Sequence, residues 1–215
     1  MKMMKYIPFF TLFLMGQMAC AEPDITKLLK VDSNNKSKCA ENYIFKNELF
    51  CSEKTTSEPE NQNKINLEKY EKLKIVFDDR TWKPINAHSK DNISTVEYIP
   101  ADADANTSNE LLTSQYIPNL PSHISPKDFA DLEIKFLKKD STKLTYKFIE
   151  EKPHEVIFEF AILEPESEQQ HEIQYIRKKG TSLYVLHYVK SGKNMGDTTK
   201  EEWIKRMKQS TILEK

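Results

Sequence analysis

The sequence predicts an α+β fold, an antiparallel sheet with helices packed on one face, preceded by a small disulfide-stapled hairpin. Three observations carry this. Between Lys143 and Val189 four consecutive segments alternate apolar and polar residues, the period of strands with one buried face. Two later segments, after Ser125 and after Gly196, carry helix start signals and apolar residues at helical spacing. Two cysteines, Cys39 and Cys51, bracket a short apolar–polar–apolar run.

In chain order, residues 1–21 read as a secretory signal peptide. Lys2 and Lys5 form a positive start, Tyr6 to Met15 is apolar apart from Thr11, and Ala19 and Ala21 are small. The apolar run is shorter than the roughly 20 residues that cross a bilayer. Cleavage after Ala21 would release a chain starting at Glu22. The alternative is lipidation of Cys20, for which Gln17 stands where an aliphatic residue is wanted. The expected location is therefore periplasmic or secreted, with a lipid anchor at Cys20 as the alternative.

Residues 22–51 form an N-terminal segment. Apolar "YIF" and "LF" flank the polar "KNE", which can turn, so Cys39 and Cys51 are expected to staple a hairpin near its base. Residues 52–72 are polar and read as a linker that enters a short helix near Leu67–Leu73. The α+β domain then occupies 73–215. Residues 74–82 read as a strand, followed by a loop carrying Pro84. Residues 93–99 form a second strand closed by Pro100, and 110–117 a helical turn or strand ending at Pro118. Ser125, Pro126 and Asp128 make a capping box. Phe129, Leu132, Phe136 and Leu137 then predict one buried helix face. Strands over 143–149, 155–163, 171–177 and 182–189 follow, with Gly180 supplying positive φ to the last turn. In the final helix Thr198 and Glu201 read as a capping box, and Trp203, Ile204 and Met207 as the buried face.

This order of elements resembles the Mog1/PsbP-like α+β sandwich. The stretch "VEYIPADADANTSNELLTSQYI", 96–117, carries a second resemblance. Glu97, Tyr98, Ile99 and Pro100 are followed by Glu110, Leu111, Leu112, Thr113 and Gln115, a pattern similar to one in small exported proteins of Gram-negative, often intracellular, bacteria. That group usually has Trp where this chain has Ser108. The resemblance implies an exported, single-domain, host- or envelope-associated protein, and no reaction.

The chemistry is bounded mainly by exclusion. Beyond the signal, the glycines are Gly180, Gly192 and Gly196. That rules out a Walker loop, a dinucleotide fingerprint and a nucleophile elbow, each of which needs clustered glycines. A formal net charge of −1 gives no footprint for nucleic acid. No cofactor motif is present. Asp102, Asp104 and Asn106 match the first three ligand positions of a calcium loop, but Thr107 and Thr113 stand where Gly and Glu are needed. Asn106, Thr107 or Ser108 capping a short helix explains the loop as well. His171 and His187 lie on the two arms of the last hairpin. A two-residue turn at Lys179–Gly180 places Glu172 opposite His187, an acid–base pair. A loop one residue longer places His171 opposite His187, half of a metal site. His123 is expected in a loop. Lys135, Lys138, Lys139, Lys143 and Lys147 could meet an anionic surface, although Asp131, Glu133 and Asp140 interleave with them as on a solvated face. Tyr175, Tyr184 and Tyr188 could line a groove, and strand propensity explains them equally.

The functional expectation is a monomeric, non-enzymatic binding or interaction protein for a protein or small-ligand partner. Two alternatives stand beside it: a small envelope or secreted hydrolase using His171, Glu172 and His187, with or without a metal, and a structural envelope lipoprotein.

Overall fold

The structure is a computed structural model that describes residues 24–31, 39–53, 65–141 and 143–213. The signal segment with Cys20, and most of the polar stretch 52–72, lie outside the described residues. No helix among the described residues is long and apolar enough to cross a membrane.

The hairpin of β2 (Cys39–Phe45) and β3 (Glu48–Glu53) turns at Lys46 and Asn47, both at positive φ. Two successive left-handed residues match the right-handed twist of paired strands. A short β1 (Leu29–Lys30) pairs with β3. Cys51 is fully buried; the side chain of Cys39 lies outside the described residues. The hairpin continues the main sheet through one pair, Ile44 with Trp82. Next come α1 (Leu67–Tyr70) and β4 (Leu73–Lys74). Residues 75–78 leave the ladder, so the strand expected over 74–82 is only this short stub, paired with β12 (Thr211–Ile212).

The loop expected at Pro84 is instead β5 (Trp82–Lys90). Its register shifts between Pro84 and Asn86, and only Trp82 pairs outward. A proline without N–H is tolerated at such a bulge on a barely paired strand. Then β6 (Ile93–Pro100) and β7 (Glu110–Ile117) follow, the latter a strand and not a helical turn. After α2 (Pro126–Asp140) the chain forms β8 (Lys143–Lys152), β9 (Glu155–Glu164), β10 (Gln170–Lys179), β11 (Ser182–Ser191) and α3 (Asp197–Gln209). The order is β1-β3-β2-β5-β6-β7-β11-β10-β9-β8, antiparallel throughout.

The two long helices cover opposite faces, which corrects the expectation of one helical layer. Ile173 and Tyr175 of β10 pack with Leu186, Tyr188, Trp82 and α3's Trp203 and Met207. Ile176, one step out of phase, packs with Phe158, Val185 and α2's Ala130 and Ile134. Adjacent strand residues point to opposite faces, so two clusters fed by alternate residues require two layers.

The α2 cap forms as expected. Ser125 Oγ accepts from the Asp128 N–H at 3.1 Å, and Asp128 Oδ2 accepts from the Ser125 N–H at 2.9 Å. The buried stripe differs. Ala130 and Ile134 are buried, Phe129 and Leu137 partly so, while Leu132 and Phe136 stay 50% and 40% exposed. In α3 the start falls earlier than Thr198. Gly196, at φ +85°, is the N-cap and no side chain caps it, so the Thr198–Glu201 box does not form.

One carboxylate ties the α3-side core together. Glu71 Oε1 accepts from Ser114 Oγ (2.7 Å), the Lys72 N–H (2.9 Å) and the Leu73 N–H (2.8 Å), and Oε2 accepts from Tyr98 Oη (2.7 Å). Burial raises its pKa above the ordinary value, and these four donors oppose the shift without reversing it.

Candidate functional site

The turn of the last hairpin sets the site. Lys179 pairs with Ser182, so the two turn residues are Gly180 and Thr181, one position later than expected. Gly180, at φ +61°, fits the first position of such a turn. Every partner shifts accordingly: His187 faces Gln174, Glu172 faces Val189 and His171 faces Lys190. Both expected registers are thus corrected. His171 and His187 point to opposite faces and cannot share a metal or act on one substrate.

The expected pair of Glu172 and His187 nevertheless meets, as diagonal neighbours on one face. His187 Nδ1 lies 2.7 Å from Glu172 Oε1. Around them a buried polar cluster closes. Gln174, fully buried, donates from Nε2 to Glu172 Oε1 (2.7 Å) and to Glu133 Oε1 of α2 (2.6 Å). His187 Nε2 lies 3.2 Å from Gln115 Oε1 of β7. The ligating atoms of Glu133, Glu172 and His187 all lie within 4.8 Å of one another. Burial lowers the His187 pKa, but the Glu172 hydrogen bond and the charges of Glu172 and Glu133 outweigh it, and the net shift is upward. Burial pushes the Glu133 carboxyl up. The His187 charge opposes this and the Glu172 charge adds to it.

Glu133 is the member that sequence reasoning missed, because it was counted among acids on a solvated face. Its spacing offered a signal. Ala130, Glu133, Ile134 and Leu137 follow the helical repeat of one face, which places Glu133 within the apolar stripe. Gln115 and Thr113 belong to the 96–117 pattern, and both sit beside His187. In the same pattern Glu110 accepts from Tyr188 Oη (2.9 Å) and Arg80 Nη2 (2.6 Å).

The face that holds this cluster continues past α2 as Thr113, Gln115, Thr95, Glu97, Asn86 and His88, and it is polar. Lys127 and Lys138 of α2 lean over Phe148 and Tyr146 of β8. At 100° per residue, Leu132 falls on the side of α2 turned away from the sheet and Phe136 on the flank opposite Lys127 and Lys138, and both stay exposed. The sheet thus has a polar floor beyond α2, and α2 carries two exposed apolar side chains.

His171 occupies the opposite face. Its Nδ1 accepts from the Met195 N–H (3.1 Å), which leaves the proton on Nε2, 3.2 Å from Glu159 Oε2. Lys200 Nζ approaches the same oxygen at 3.3 Å. These side chains line a cleft of about 330 Å³ together with Lys147, Lys193 and Asp197.

The remaining candidates are placed as follows. Asp102, Asp104 and Asn106 lie in the turn between β6 and β7, with the Asn106 N–H donating to Asp104 Oδ1 at 2.8 Å. The chain enters a strand there, so no helix is capped. His123 is exposed in the loop before α2. Lys135, Lys138, Lys139, Lys143 and Lys147 are exposed, as a solvated face requires. Tyr175 and Tyr188 are core residues, Tyr188 stacking on Trp203 at 4.2 Å, and Tyr184 packs on Tyr116 at 5.2 Å. None of the three lines an open groove.

Fold and site together define an α+β protein with one large antiparallel sheet and a carboxylate–histidine cluster beneath a helix. A family model matches residues 70–212, about two thirds of the chain, and the chain belongs to that family, a family of uncharacterised proteins. No curated protein sequence matches it. Among solved structures, the solution structure of cyanobacterial PsbP (CyanoP) from Synechocystis sp. PCC 6803 is similar. Its TM-score is 0.45 at 13% identity, over 65% of this chain and 85% of that one.

Proposed function

We propose that this chain is an exported, non-enzymatic binding or interaction protein that works in the periplasm or outside the cell. In this reading residues 1–21 are the removed signal, Cys39 and Cys51 are joined within segment 22–51, 52–72 is a linker, and 73–215 is the working domain. The observation that carries it is the exposed pair Leu132 and Phe136 on α2, the helix that covers the carboxylate–histidine cluster. Large apolar side chains kept in water suit a contact surface. The acid–base pair of the hydrolase alternative lies under α2, tied to it through Gln174 and Glu133, and His171 is on the far face.

A photo-crosslinking residue placed at Leu132 or Phe136 in the exported protein tests this, with Glu151 on β8 as the exposed control. A discrete adduct from the two α2 positions and none from Glu151 is the expected result. No adduct, or equal labelling at all three, overturns the reading. Intact mass of the same material tests the export half. The expected mass begins at Glu22 and is two hydrogens below the reduced form, and a diacylglyceryl adduct on Cys20 overturns release.

A further inference from the structure

The buried cluster under α2 has more acceptors than donors. Gln174 Nε2 serves both carboxylates, yet Glu133 Oε2 and Gln174 Oε1 are buried and receive no hydrogen bond from the protein. His187 is bracketed by acceptors, Gln115 Oε1 at Nε2 and Glu172 Oε1 at Nδ1. If Nε2–H donates to Gln115, Nδ1 turns a lone pair toward a carboxylate 2.7 Å away. With that tautomer a cation lies between them, either a proton or a metal ion, whereas Nδ1–H toward Glu172 would require Gln115 to present its amide nitrogen to Nε2. Oxygen atoms left bare in a protein interior are costly unless a hydrogen-bond donor, a water or a cation meets them.

We infer that Glu133, Glu172 and His187 form a binding site for a first-row divalent cation such as zinc. One imidazole nitrogen and two carboxylate oxygens are a donor set that zinc accepts, at contacts of about 2.0–2.2 Å, so the 2.7 Å contact of His187 with Glu172 opens by a modest side-chain movement to admit the ion. The bare Oε2 of Glu133, a buried acceptor on the ligand that α2 supplies, is the second sign, and Gln174, fully buried, fixes the two carboxylates by donating to both. Gln115 acts as a positioning residue. By accepting from His187 Nε2 it holds the ring with Nδ1 toward the ion, the outer contact that ligating histidines characteristically make. The ion takes the place of the proton between His187 Nδ1 and Glu172 Oε1. Its path runs from the polar floor, since Glu133 and His187 are only partly buried while Glu172 is fully so. The inference stands apart from the contact surface proposed above, and neither requires the other.

The test is equilibrium dialysis of the full exported chain against zinc alone, with bound metal counted by mass spectrometry. Cobalt substitution then reads the ligand field. One ion per chain is expected, with binding weakened at least tenfold in Glu133→Gln and in Glu172→Gln. Both substitutions keep side-chain shape, and circular dichroism checks their folding. Gln115→Leu is expected to weaken binding by about 10–100-fold while leaving one cobalt site with an altered spectrum. No bound metal, binding unchanged in Glu133→Gln, or binding abolished by His171→Asn on the other face each overturns the inference. His187→Gln decides the matter should a carboxylate variant fail to fold: a folded His187→Gln that still holds zinc with native affinity overturns it too.

Discussion

Replacing Glu71 by alanine is the most direct test of how the α3-side core is held. The native carboxylate accepts four hydrogen bonds, from Ser114 Oγ, Tyr98 Oη and the amides of Lys72 and Leu73. Tyr98 and Ser114 are 1% and 4% exposed, so their hydroxyls have no ready access to water once the acceptor is gone. Each buried donor left unmet costs about 1–3 kcal/mol, and the two amides, nearer the surface, recover part of theirs from solvent. The expected loss for Glu71→Ala is therefore about 3–5 kcal/mol, a large share of a domain's stability. Glu71→Gln keeps Oε1 for three donors and changes only the Tyr98 contact, and is expected to lose about 1 kcal/mol. Denaturant unfolding followed by the fluorescence of Trp82 and Trp203 measures both. The pH dependence has a defined sign. A carboxyl whose folded pKa is raised contributes stability that is full below its unfolded value and declines as pH rises through the folded one. The advantage of wild type over Glu71→Gln should thus shrink as pH rises from about 4.5. An alanine variant within 1 kcal/mol of wild type, or an advantage that grows with pH, refutes the argument.

Three further outcomes are expected. Trp203→Ala removes a ring stacked on Tyr188 at 4.2 Å and set edge-on to Trp82 at 5.5 Å; it should cost about 3–5 kcal/mol and erase most of the near-ultraviolet dichroism. Ser125→Ala breaks the reciprocal cap of α2 and should cost about 1 kcal/mol in thermal unfolding, with no change counting against the cap. Asp78 is pushed up by burial, but bonds from Arg80 and the Trp82 indole hold its carboxyl below the usual range. Its contribution is present above the unfolded pKa and lost as pH falls through the folded one. Wild type should therefore exceed Asp78→Asn in stability at neutral pH and converge with it below about pH 4, as followed by acid titration of the folded signal.

Much of the fold was legible because local chemistry and tertiary structure agree. The alternation of Val156, Phe158, Phe160 and Ile162 reads as a strand and is one. The Ser125–Asp128 box starts a helix in the sequence and in space, and Trp203 and Met207 are buried as their spacing requires. The site was legible only in part. Glu172 and His187 were expected to meet and do, but along a diagonal, because the hairpin turns at Gly180–Thr181 and not at Lys179–Gly180. One glycine serves either turn by spacing alone. The choice falls to the ladders on both sides, since β11 also pairs with β7 and β10 with β9.

By itself, the sequence determined the four strands from β8 to β11, the helices α2 and α3, the hairpin around Gly180, the cap of α2 and the absence of phosphate-binding glycine loops, since each depends on neighbours within a few residues. Tertiary structure alone decided that α2 and α3 cover opposite faces. It also decided that Leu132 and Phe136 remain in water, and that a carboxylate from a helix meets a glutamine, a glutamate and a histidine from the sheet. These outcomes depend on which surfaces arrive together from distant parts of the chain. Glu133 and Gln174 are 41 positions apart, so no local pattern could register their contact. The physical reason is that amphipathic periodicity fixes a buried direction on each element, whereas the polar partners that direction meets are set by packing.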